Sequence, residues 1–342
     1  YTVVNVVDLE SYVKGVIPSE VPSSYGMEAL KAQAVCARSY AYIQMMHNKY
    51  EAYGAHVDDS VNFQVYNKQN QTPETVAAVD ETKDQVLSYK GDIIETYYYS
   101  TSYGHTGDYE AWNLDKDAYG YLQGVWVCSE ENPIDLSDEK SFLDYISNVD
   151  SACYESDLKY FRWNTVLDFQ GKDETLLHTI ADRKEHQPEA ISYYKDASKT
   201  ETTDSCSNFG SLQVINVVKR NQSGVILELE LDFQNGAVSV QSEYNMRAIL
   251  GCGITNINLL DGSSVEMSIL PSAYISIQAK EDGTYAVLGG GYGHGIGMSQ
   301  NGAQKLCGQG FDYKRILNYF YQDTELTELY QPQNMTKEEG GA

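Results

Sequence analysis

The chain has 342 residues, of which 42% are hydrophobic and 21% charged, and its formal net charge is −25. This length suggests one large domain or two ordinary ones, and the hydrophobic fraction is sufficient for a packed core. So negative a chain is a poor partner for nucleic acid or for an anionic membrane surface. No apolar stretch reaches the roughly 20 residues that a membrane-spanning helix needs.

The first residues predict a strand that leads into a short helical turn. The run 2–7 is valine-rich, and the following turn at 9–16 is expected to stop at Gly15. Pro18 and Pro22 are expected to keep the segment around Glu20 extended. The chain starts without a signal peptide or an initiator Met, which fits a protein trimmed of a leader or membrane anchor.

A long helix is predicted over 27–46. Its core-facing stripe is marked by four small or apolar residues at helical spacing, namely Leu30, Ala34, Ala37 and Ala41. Lys31 and Arg38 are two helical turns apart, so they share a second stripe beside the first.

The rest of the chain mixes strands and helices without a βαβ rhythm, which predicts an α+β fold. A hairpin is expected over 85–99, turning at Gly91 and Asp92. The polar segment 130–210, with a helix at 136–146, reads as an insertion. Further strands are predicted at 212–218, 225–231, 237–241, 264–269, 273–279 and 285–288. Closing helices are predicted from an N-cap at Ser299 and over 313–321.

The six cysteines contain no CxxC pair, which disfavours zinc-ribbon and thioredoxin chemistry. Cys153 and Cys206 flank a polar segment and are candidates for a disulfide. Cys36 lies among alanines in the predicted helix and is expected to be a buried thiol.

Glu20 is the leading candidate for an acid or base. A carboxyl group fixed between two prolines, in a site dry enough to raise its pKa, can protonate a leaving oxygen. Lys31 and Arg38 would lower that pKa if they were close, or they would bind substrate oxygens. The alternative is a turn glutamate that pairs with a helix-flanking cation.

The segment 289–297 reads GGGYGHGIG and places His294 in a glycine-rich loop. No Gly-Lys-Ser/Thr follows, and no βαβ unit surrounds it, so phosphate-loop and dinucleotide-binding functions are excluded. The loop either lines a ligand cleft or is a tight turn around a structural histidine. His105 follows a serine-rich run that contains no GxSxG, and a zinc site built from His105 and Cys128 stays open.

Several segments together resemble one family. They are LESYVKGVIPSEVPSSYGMEALKAQAVCARSYAY near the start, FQVY at 63–66, STSYGHT at 100–106, MRAILG at 246–251, GYGHGIGMSQNGAQ and the closing FDYKRILNYFY. In sequence and order they resemble the SpoIID/LytB family of bacterial peptidoglycan proteins. The resemblance covers roughly 1–130 and 210–325.

This resemblance implies a lytic transglycosylase that cleaves the β-1,4 bond between N-acetylmuramic acid and N-acetylglucosamine and leaves a 1,6-anhydro end. The sugar's own 6-hydroxyl attacks the anomeric carbon, so one carboxyl group serves as acid and then as base, where an ordinary glycosidase needs two. Glu20 aligns with the family's catalytic glutamate. The alternative is a non-catalytic wall-binding protein or amidase enhancer of the LytB type.

The resemblance also implies substrate-binding residues around a central glycan groove, namely Lys31, Gln33, Arg38, Gln64, Thr101, His105, Thr106, His294, Ser299 and Gln300. Residues 1–130 and 210–330 would form the catalytic core, 131–209 an inserted subdomain and 331–342 a flexible tail. The expected substrate is glycan without stem peptides, supplied by a partner amidase, with no cofactor required. The expected location is extracytoplasmic, with anchoring through a missing N-terminal segment.

Overall fold

A computed structural model describes residues 3–59, 63–66, 71–130 and 134–329. The chain divides into two compact units. Unit 1 comprises Tyr1–Thr96 and Thr324–Ala342, and unit 2 comprises Tyr97–Asp323. The predicted flexible tail at 331–342 lies outside the described residues.

The described residues form nine helices and fourteen strands. The helices are α1 (Leu9–Glu20), α2 (Met27–His47), α3 (Pro73–Glu81), α4 (Lys116–Tyr119), α5 (Glu139–Ile146), α6 (Asp173–His186), α7 (Glu243–Gly251), α8 (Gln300–Gly308) and α9 (Tyr313–Phe320). The strands are β1 (Gln85–Tyr89), β2 (Asp92–Ile93), β3 (Tyr98–Tyr99), β4 (Trp163–Leu167), β5 (Ile191–Tyr194), β6 (Leu212–Arg220), β7 (Ile226–Phe233), β8 (Gly236–Val240), β9 (Ile257–Leu259), β10 (Ser264–Val265), β11 (Ile275–Ala279), β12 (Tyr285–Gly289), β13 (Met298–Ser299) and β14 (Glu325–Glu328).

The start of unit 1 differs from the sequence-based expectation. Residues 3–7 form no strand, and Val3 and Val6 are 92% and 89% exposed. Helix α1 begins after Asp8, whose side chain accepts a hydrogen bond from the Ser11 amide, and it continues through Gly15 and Pro18. The proline removes one helical hydrogen bond, but the apolar face of α1 is buried around it. The segment holding Glu20 is therefore helical rather than extended.

The prediction of helix α2 over 27–46 is confirmed, and the helix ends one residue later, at His47. Its four-residue stripe is buried, and the alanines allow the neighbouring helices to approach closely. The hydrophobic core of unit 1 comes from α1, α2 and α3 and contains Val13, Val16, Ile17, Val21, Leu30, Ala34, Ala37, Ala78 and Val79. Cys36 is a buried thiol, as expected.

The sheet of unit 1 is antiparallel in the order β14-β1-β2. The β1–β2 hairpin turns at Lys90 and Gly91, which both have positive φ (52° and 92°). The turn lies one residue earlier than predicted and suits the two-residue loops that match strand twist. The predicted second arm is shorter than expected, because β2 ends at Ile93 and β3 belongs to unit 2.

Unit 2 contains a five-stranded antiparallel sheet in the order β10-β9-β4-β12-β11 and a four-stranded antiparallel sheet in the order β5-β8-β7-β6. A parallel pair joins β13 to β3, with Ser299 opposite Tyr99. Apolar side chains from both larger sheets and from α6 and α7 form one hydrophobic cluster. The mixed α+β class is thus confirmed.

The segment 131–209 is built into unit 2. Its strand β4 lies between β9 and β12, and its strand β5 pairs with β8. The division of the chain into units falls at 96/97 and 323/324 and leaves 131–209 with its neighbours in unit 2. That the segment is an insertion relative to other family members stays a prediction.

Most of the later sequence predictions hold. Strands β6, β7, β8, β11 and β12 and helices α5, α8 and α9 lie where the patterns place them. Ser299 caps α8, because its side chain accepts a hydrogen bond from the Gly302 amide. The strand predicted at 264–269 is reduced to the two residues of β10. None of the helices in the described part of the chain combines the length and apolarity needed to cross a bilayer.

Candidate functional site

The candidate residues fall into two groups, one in each unit. Glu20 is the last residue of α1 and is half-buried. Its Oε1 accepts a hydrogen bond of 2.8 Å from the amide of Val65. The chain turns away immediately after it, because Val21 is extended and closes the helix with a bond to the carbonyl of Ile17. The carboxyl group is therefore fixed at a helix end.

The segment 63–66 contacts both α1 and α2 and hydrogen-bonds to the Glu20 side chain. Gln64 Nε2 donates to the carbonyl of Ala37 in α2 at 3.1 Å. The Tyr66 ring stacks on Tyr12 of α1 with 5.5 Å between ring centroids and 3° between planes. Tyr66 also covers Gly15 so closely that a Cβ there would overlap the ring. Gly15 thus serves close packing rather than the predicted end of the helix.

Tyr12 places a second polar group near Glu20. Its hydroxyl oxygen is buried and has no hydrogen-bond partner within the described part of the chain. Burial raises the pKa of Tyr12 well above its usual range, and the Glu20 carboxylate adds to the rise. Tyr12 therefore stays protonated and keeps its hydroxyl proton as a hydrogen-bond donor.

Lys31 is held at the surface of unit 1 by two carboxylates. Its Nζ lies 3.0 Å from Glu28 Oε1 and 2.7 Å from Glu81 Oε2. The hydrogen bond to Glu81 is the main cause of a raised Lys31 pKa. Much of its charge is balanced within the protein, so a substrate oxygen would compete with these partners.

Arg38 and Gln33 lie inside unit 1. Arg38 is 0% exposed and pairs with Glu10, so in this conformation it positions other groups rather than lining a groove. Gln33 is 1% exposed, and neither atom of its side-chain amide has a hydrogen-bond partner among the described residues. An unpaired buried amide costs about 1–3 kcal/mol, which marks Gln33 as an unusual core residue.

In unit 2, His294 fastens its own loop. Its Nε2 lies 2.9 Å from the carbonyl of Tyr98, and its Nδ1 lies 3.1 Å from the amide of Ile296. Because the amide must donate, Nδ1 is the acceptor and Nε2 carries the proton. Burial lowers the pKa of His294 to about 4, so the ring is neutral at ordinary pH. Its ring also packs on Trp112, with 5.0 Å between ring centroids.

The 100–106 and 298–302 segments are joined around Thr101. Its backbone exchanges two hydrogen bonds with Tyr292, of 3.1 and 2.8 Å. Its hydroxyl accepts from Asn301 Nδ2 at 2.9 Å. Ser299 and Gln300 follow at the start of α8 and are buried. The structure thus brings Thr101, Ser299, Gln300 and the His294 loop together within unit 2.

Glu155 is a buried carboxyl group that the sequence analysis missed. It is 0% exposed and accepts hydrogen bonds from the Ser102 amide at 3.1 Å, from the Ser102 hydroxyl and from the Ser299 hydroxyl at 2.8 Å. Burial raises its pKa to about 7. Glu155 lies in the segment 131–209, which the resemblance stated in the sequence analysis did not cover, so no motif pointed to it.

His105 and Thr106 lie at a different place in unit 2. His105 Nδ1 is 2.6 Å from the carbonyl of Thr106, and the Thr106 hydroxyl accepts from the Val125 amide at 2.9 Å. Burial lowers the pKa of His105 to about 4. Both residues are buried, and Thr106 joins the 104–107 segment to Val125 through its backbone amide and its hydroxyl.

The structure corrects two cysteine predictions. Cys128 forms a disulfide with Cys153, so the expected pairing of Cys153 with Cys206 is wrong. Cys206 is a buried thiol. The disulfide also removes the Cys128 thiolate from any zinc site with His105. In the described ranges the one cluster of possible metal ligands is Cys128, Asp150 and Cys153, and both its sulfurs are in that disulfide.

Comparisons with known proteins find a family match in each of the two units. The family model described as "Stage II sporulation protein" (SpoIID) matches residues 1–89, which contain Glu20 and most of unit 1. A domain of unknown function, DUF8618, matches residues 105–297 in unit 2.

The full-length relatives are similar over nearly the whole chain. An "Amidase enhancer" of Bacillus subtilis is 29% identical over 92% of this chain and 40% of its own length. An uncharacterized protein of Brachyspira hyodysenteriae is 27% identical, over 95% and 68%. "Stage II sporulation protein D" of Bacillus subtilis is 25% identical, over 94% and 75%. The chain thus spans less than half the length of the amidase enhancer.

The fold and the site define an α+β protein that carries a fixed glutamate at the end of its first helix. Residues 1–89 belong to the SpoIID family, and over most of its length the chain is similar to proteins named stage II sporulation protein D and amidase enhancer.

Proposed function

We propose that the chain is a lytic transglycosylase that acts on peptidoglycan glycan strands lacking stem peptides. It cleaves the bond between N-acetylmuramic acid and N-acetylglucosamine and leaves a 1,6-anhydro end. The observation that carries this proposal is the Glu20 carboxyl group, fixed at the end of α1 by a hydrogen bond from the Val65 amide.

Glu20 acts first as an acid and then as a base. It donates its proton to the glycosidic oxygen as the bond to the anomeric carbon breaks. The C6 hydroxyl of the muramyl residue attacks that carbon, and its proton passes to the Glu20 carboxylate. The enzyme returns to its starting protonation state without water entering the reaction.

Three glutamates of unit 1 are paired with cations, which disfavours them as a second catalytic carboxylate. Glycosidases that use water or an enzyme nucleophile need a second carboxylate about 5–10 Å from the first. In unit 1, Glu10 is paired with Arg38, and Glu28 and Glu81 are both paired with Lys31. Cations hold these three carboxylates as structural partners.

The substrate-contacting residues form two sets in this proposal. Lys31, Gln33 and Gln64 serve the glycan in unit 1, and Arg38 positions α1 against α2. Thr101, Thr106, His105, His294, Ser299 and Gln300 shape the binding surface in unit 2.

Product analysis tests the function directly. Peptide-free glycan strands are incubated with the wild-type protein, with Glu20→Gln and with Glu51→Gln, a matched change at an exposed glutamate of unit 1. Mass spectrometry should detect anhydro ends with the wild type and Glu51→Gln and none with a folded Glu20→Gln. Undiminished anhydro product from Glu20→Gln would refute the assignment, and reducing ends in place of anhydro ends would indicate a hydrolase.

The second candidate function is a wall-binding protein that stimulates an amidase. It is favoured by the 29% identity to the protein named "Amidase enhancer". A purified wall amidase, assayed with and without the chain, should then release stem peptides faster while no anhydro ends form.

The disulfide between Cys128 and Cys153 supports an extracytoplasmic location, because disulfides persist in oxidising compartments. A wall substrate and a partner amidase require the same location.

A further inference from the structure

Unit 2 contains a polar cavity lined by His105, which the proposed function places on the binding surface of this unit. It has a volume of about 770 Å³ and opens to solvent. Its wall includes His105, Asp108 and Trp126, and its mouth carries the exposed side chains of Lys116, Gln123 and Gln222. Pockets of roughly 300–1,000 Å³ hold small organic ligands.

His105 presents a hydrogen-bond acceptor to this cavity. The ring is 7% exposed, and its Nδ1 donates to the carbonyl of Thr106 at 2.6 Å. The proton therefore lies on Nδ1, and Nε2 keeps its lone pair. Among the described residues nothing hydrogen-bonds to Nε2, although the histidine lines the cavity. This acceptor is available to a donor from a ligand or from solvent in the cavity.

The residues around His105 fix its ring and leave space beside it for a ligand. Trp126 meets the imidazole edge-to-face, with 4.8 Å between ring centroids. Gly124 lies beside it, and a Cβ at that position would be 2.7 Å from His105 Cε1 and would overlap the Ser223 hydroxyl. The glycine thus leaves room that any side chain would fill.

Asp108 adds a second set of acceptors. Its Oδ1 accepts from Asn221 Nδ2 at 2.8 Å and from the Glu110 amide at 3.0 Å, and its Oδ2 accepts from the Ser223 hydroxyl. Burial raises the pKa of Asp108. A carboxylate oxygen can accept more than one hydrogen bond, so these contacts orient Asp108 without exhausting it.

These features select a neutral ligand rich in hydroxyl groups. The acceptors His105 and Asp108 repel an anion, and Lys116 is the one cation among the six wall and mouth residues named above. The clusters of possible metal ligands among the described residues do not include His105 or Asp108. The Trp126 ring supplies the apolar surface on which sugar C–H groups pack.

We propose that this cavity is a saccharide-binding site in which His105 Nε2 accepts a hydrogen bond from a sugar hydroxyl. In taking the ligand to be a piece of wall glycan, the proposal rests on the function proposed above. The site lies within unit 2 and does not require the Glu20 carboxyl group. It would hold a glycan strand independently of the cleavage step.

The test follows the imidazole nitrogens by NMR. Glu20→Gln protein with 15N-labelled histidine is titrated with N,N′-diacetylchitobiose and, separately, with inorganic phosphate. We expect the His105 Nε2 resonance to move with the disaccharide and not with phosphate. A Nε2 resonance that no saccharide moves, or that responds to phosphate instead, overturns the proposal.

Variants then locate the binding. His105→Phe keeps an aromatic ring and removes the acceptor, so disaccharide affinity should fall about tenfold. His178→Phe, at an exposed histidine of α6, is the matched control and should bind like the parent. The NMR titration uses protein with His105 intact, so it tests the proposal even if His105→Phe fails to fold. If the saccharide moves the Nε2 resonance but the wild-type protein releases no anhydro product, the transglycosylase proposal is refuted and the binding-site proposal is supported.

Discussion

Arg38 and Glu10 form a bidentate ion pair inside unit 1, with Nε and Nη2 each 2.7 Å from a carboxylate oxygen of Glu10. The remaining donors of Arg38 reach the carbonyl of Val79 in α3 at 3.3 Å and that of Gln85 in β1 at 3.0 Å. One side chain of α2 is therefore bonded to α1, α3 and the sheet. The helix that ends at Glu20 depends on this contact for its position.

Arg38→Ala should destabilise unit 1 strongly. Removing one partner of a buried ion pair leaves an uncompensated charge and costs about 3–5 kcal/mol. Hydrogen exchange of the α1 and α2 amides in urea measures the loss. Glu10→Ala combined with Arg38→Ala should cost less than the two single changes added together. Unchanged stability with lost glycan binding would instead place Arg38 in contact with substrate.

Gln33→Met should leave stability unchanged or raise it by about 1 kcal/mol, because it removes a buried amide without partners. We expect the same change to slow glycan cleavage, since an amide kept in the core at this cost is expected to serve a ligand. The matched control is Gln44→Met in the same helix, where Nε2 donates to Glu95 at 2.8 Å and stability should fall. Cleavage at the wild-type rate by Gln33→Met would remove Gln33 from the binding residues.

Glu155 should make unit 2 less stable as the pH rises. Burial raises its pKa from 4.5 to about 7, so between these values the unfolded chain has released a proton that the folded chain keeps. Its contribution is complete below about pH 4.5 and is lost as the pH rises through about 7. Glu155→Gln lacks this titration, and the wild type should lose on the order of 3 kcal/mol relative to the variant across this range.

Chemical denaturation of both proteins at pH 5, 6, 7 and 8 provides the measurement. His105 and His294 act in the opposite sense, because burial lowers their pKa from 6.5 to about 4 and stability is lost as the pH falls through that range. Both histidines are present in the two proteins, so their effect cancels in the difference. A difference that is constant from pH 5 to pH 8 would contradict a raised pKa at Glu155.

Gly297→Ala should disrupt the loop that carries His294. Gly297 has φ of +76°, and a Cβ there would overlap the carbonyl oxygen of Tyr97. We expect a loss of about 2 kcal/mol or more in thermal or urea unfolding. Gly308→Ala is the matched control, because nothing lies within 4 Å of a Cβ at that helical position, and it should be neutral or stabilising. Equal stabilities for the two variants would contradict this account of the loop.

Local patterns predicted the elements whose burial repeats with a regular period. The stripe of α2, the amphipathic α9 and the Ser299 cap were all correct, because each depends on residues within two or three turns. The strand at 3–7 was wrong although its residues are β-prone, because within the described ranges no neighbouring strand pairs with it. Strand propensity needs a partner to take effect.

The candidate site shows the same limit. Glu20 could be chosen from its motif, whereas the helical conformation around it could not, because Pro18 argues against a helix unless tertiary packing compensates. Glu155 could not be chosen at all. Its significance arises from Ser102 and Ser299, which lie 53 and 144 residues away in the chain.

Strand β1 pairs on one side with β14, and Gln85 lies opposite Glu328. The unit that carries Glu20 is therefore assembled from the two ends of the described chain, with all of unit 2 encoded between them. During synthesis β1 lacks this neighbour until the ribosome has passed residue 328. The β14 edge of the sheet that receives the Arg38 bond from α2 can therefore pair only after unit 2 has been synthesised in full.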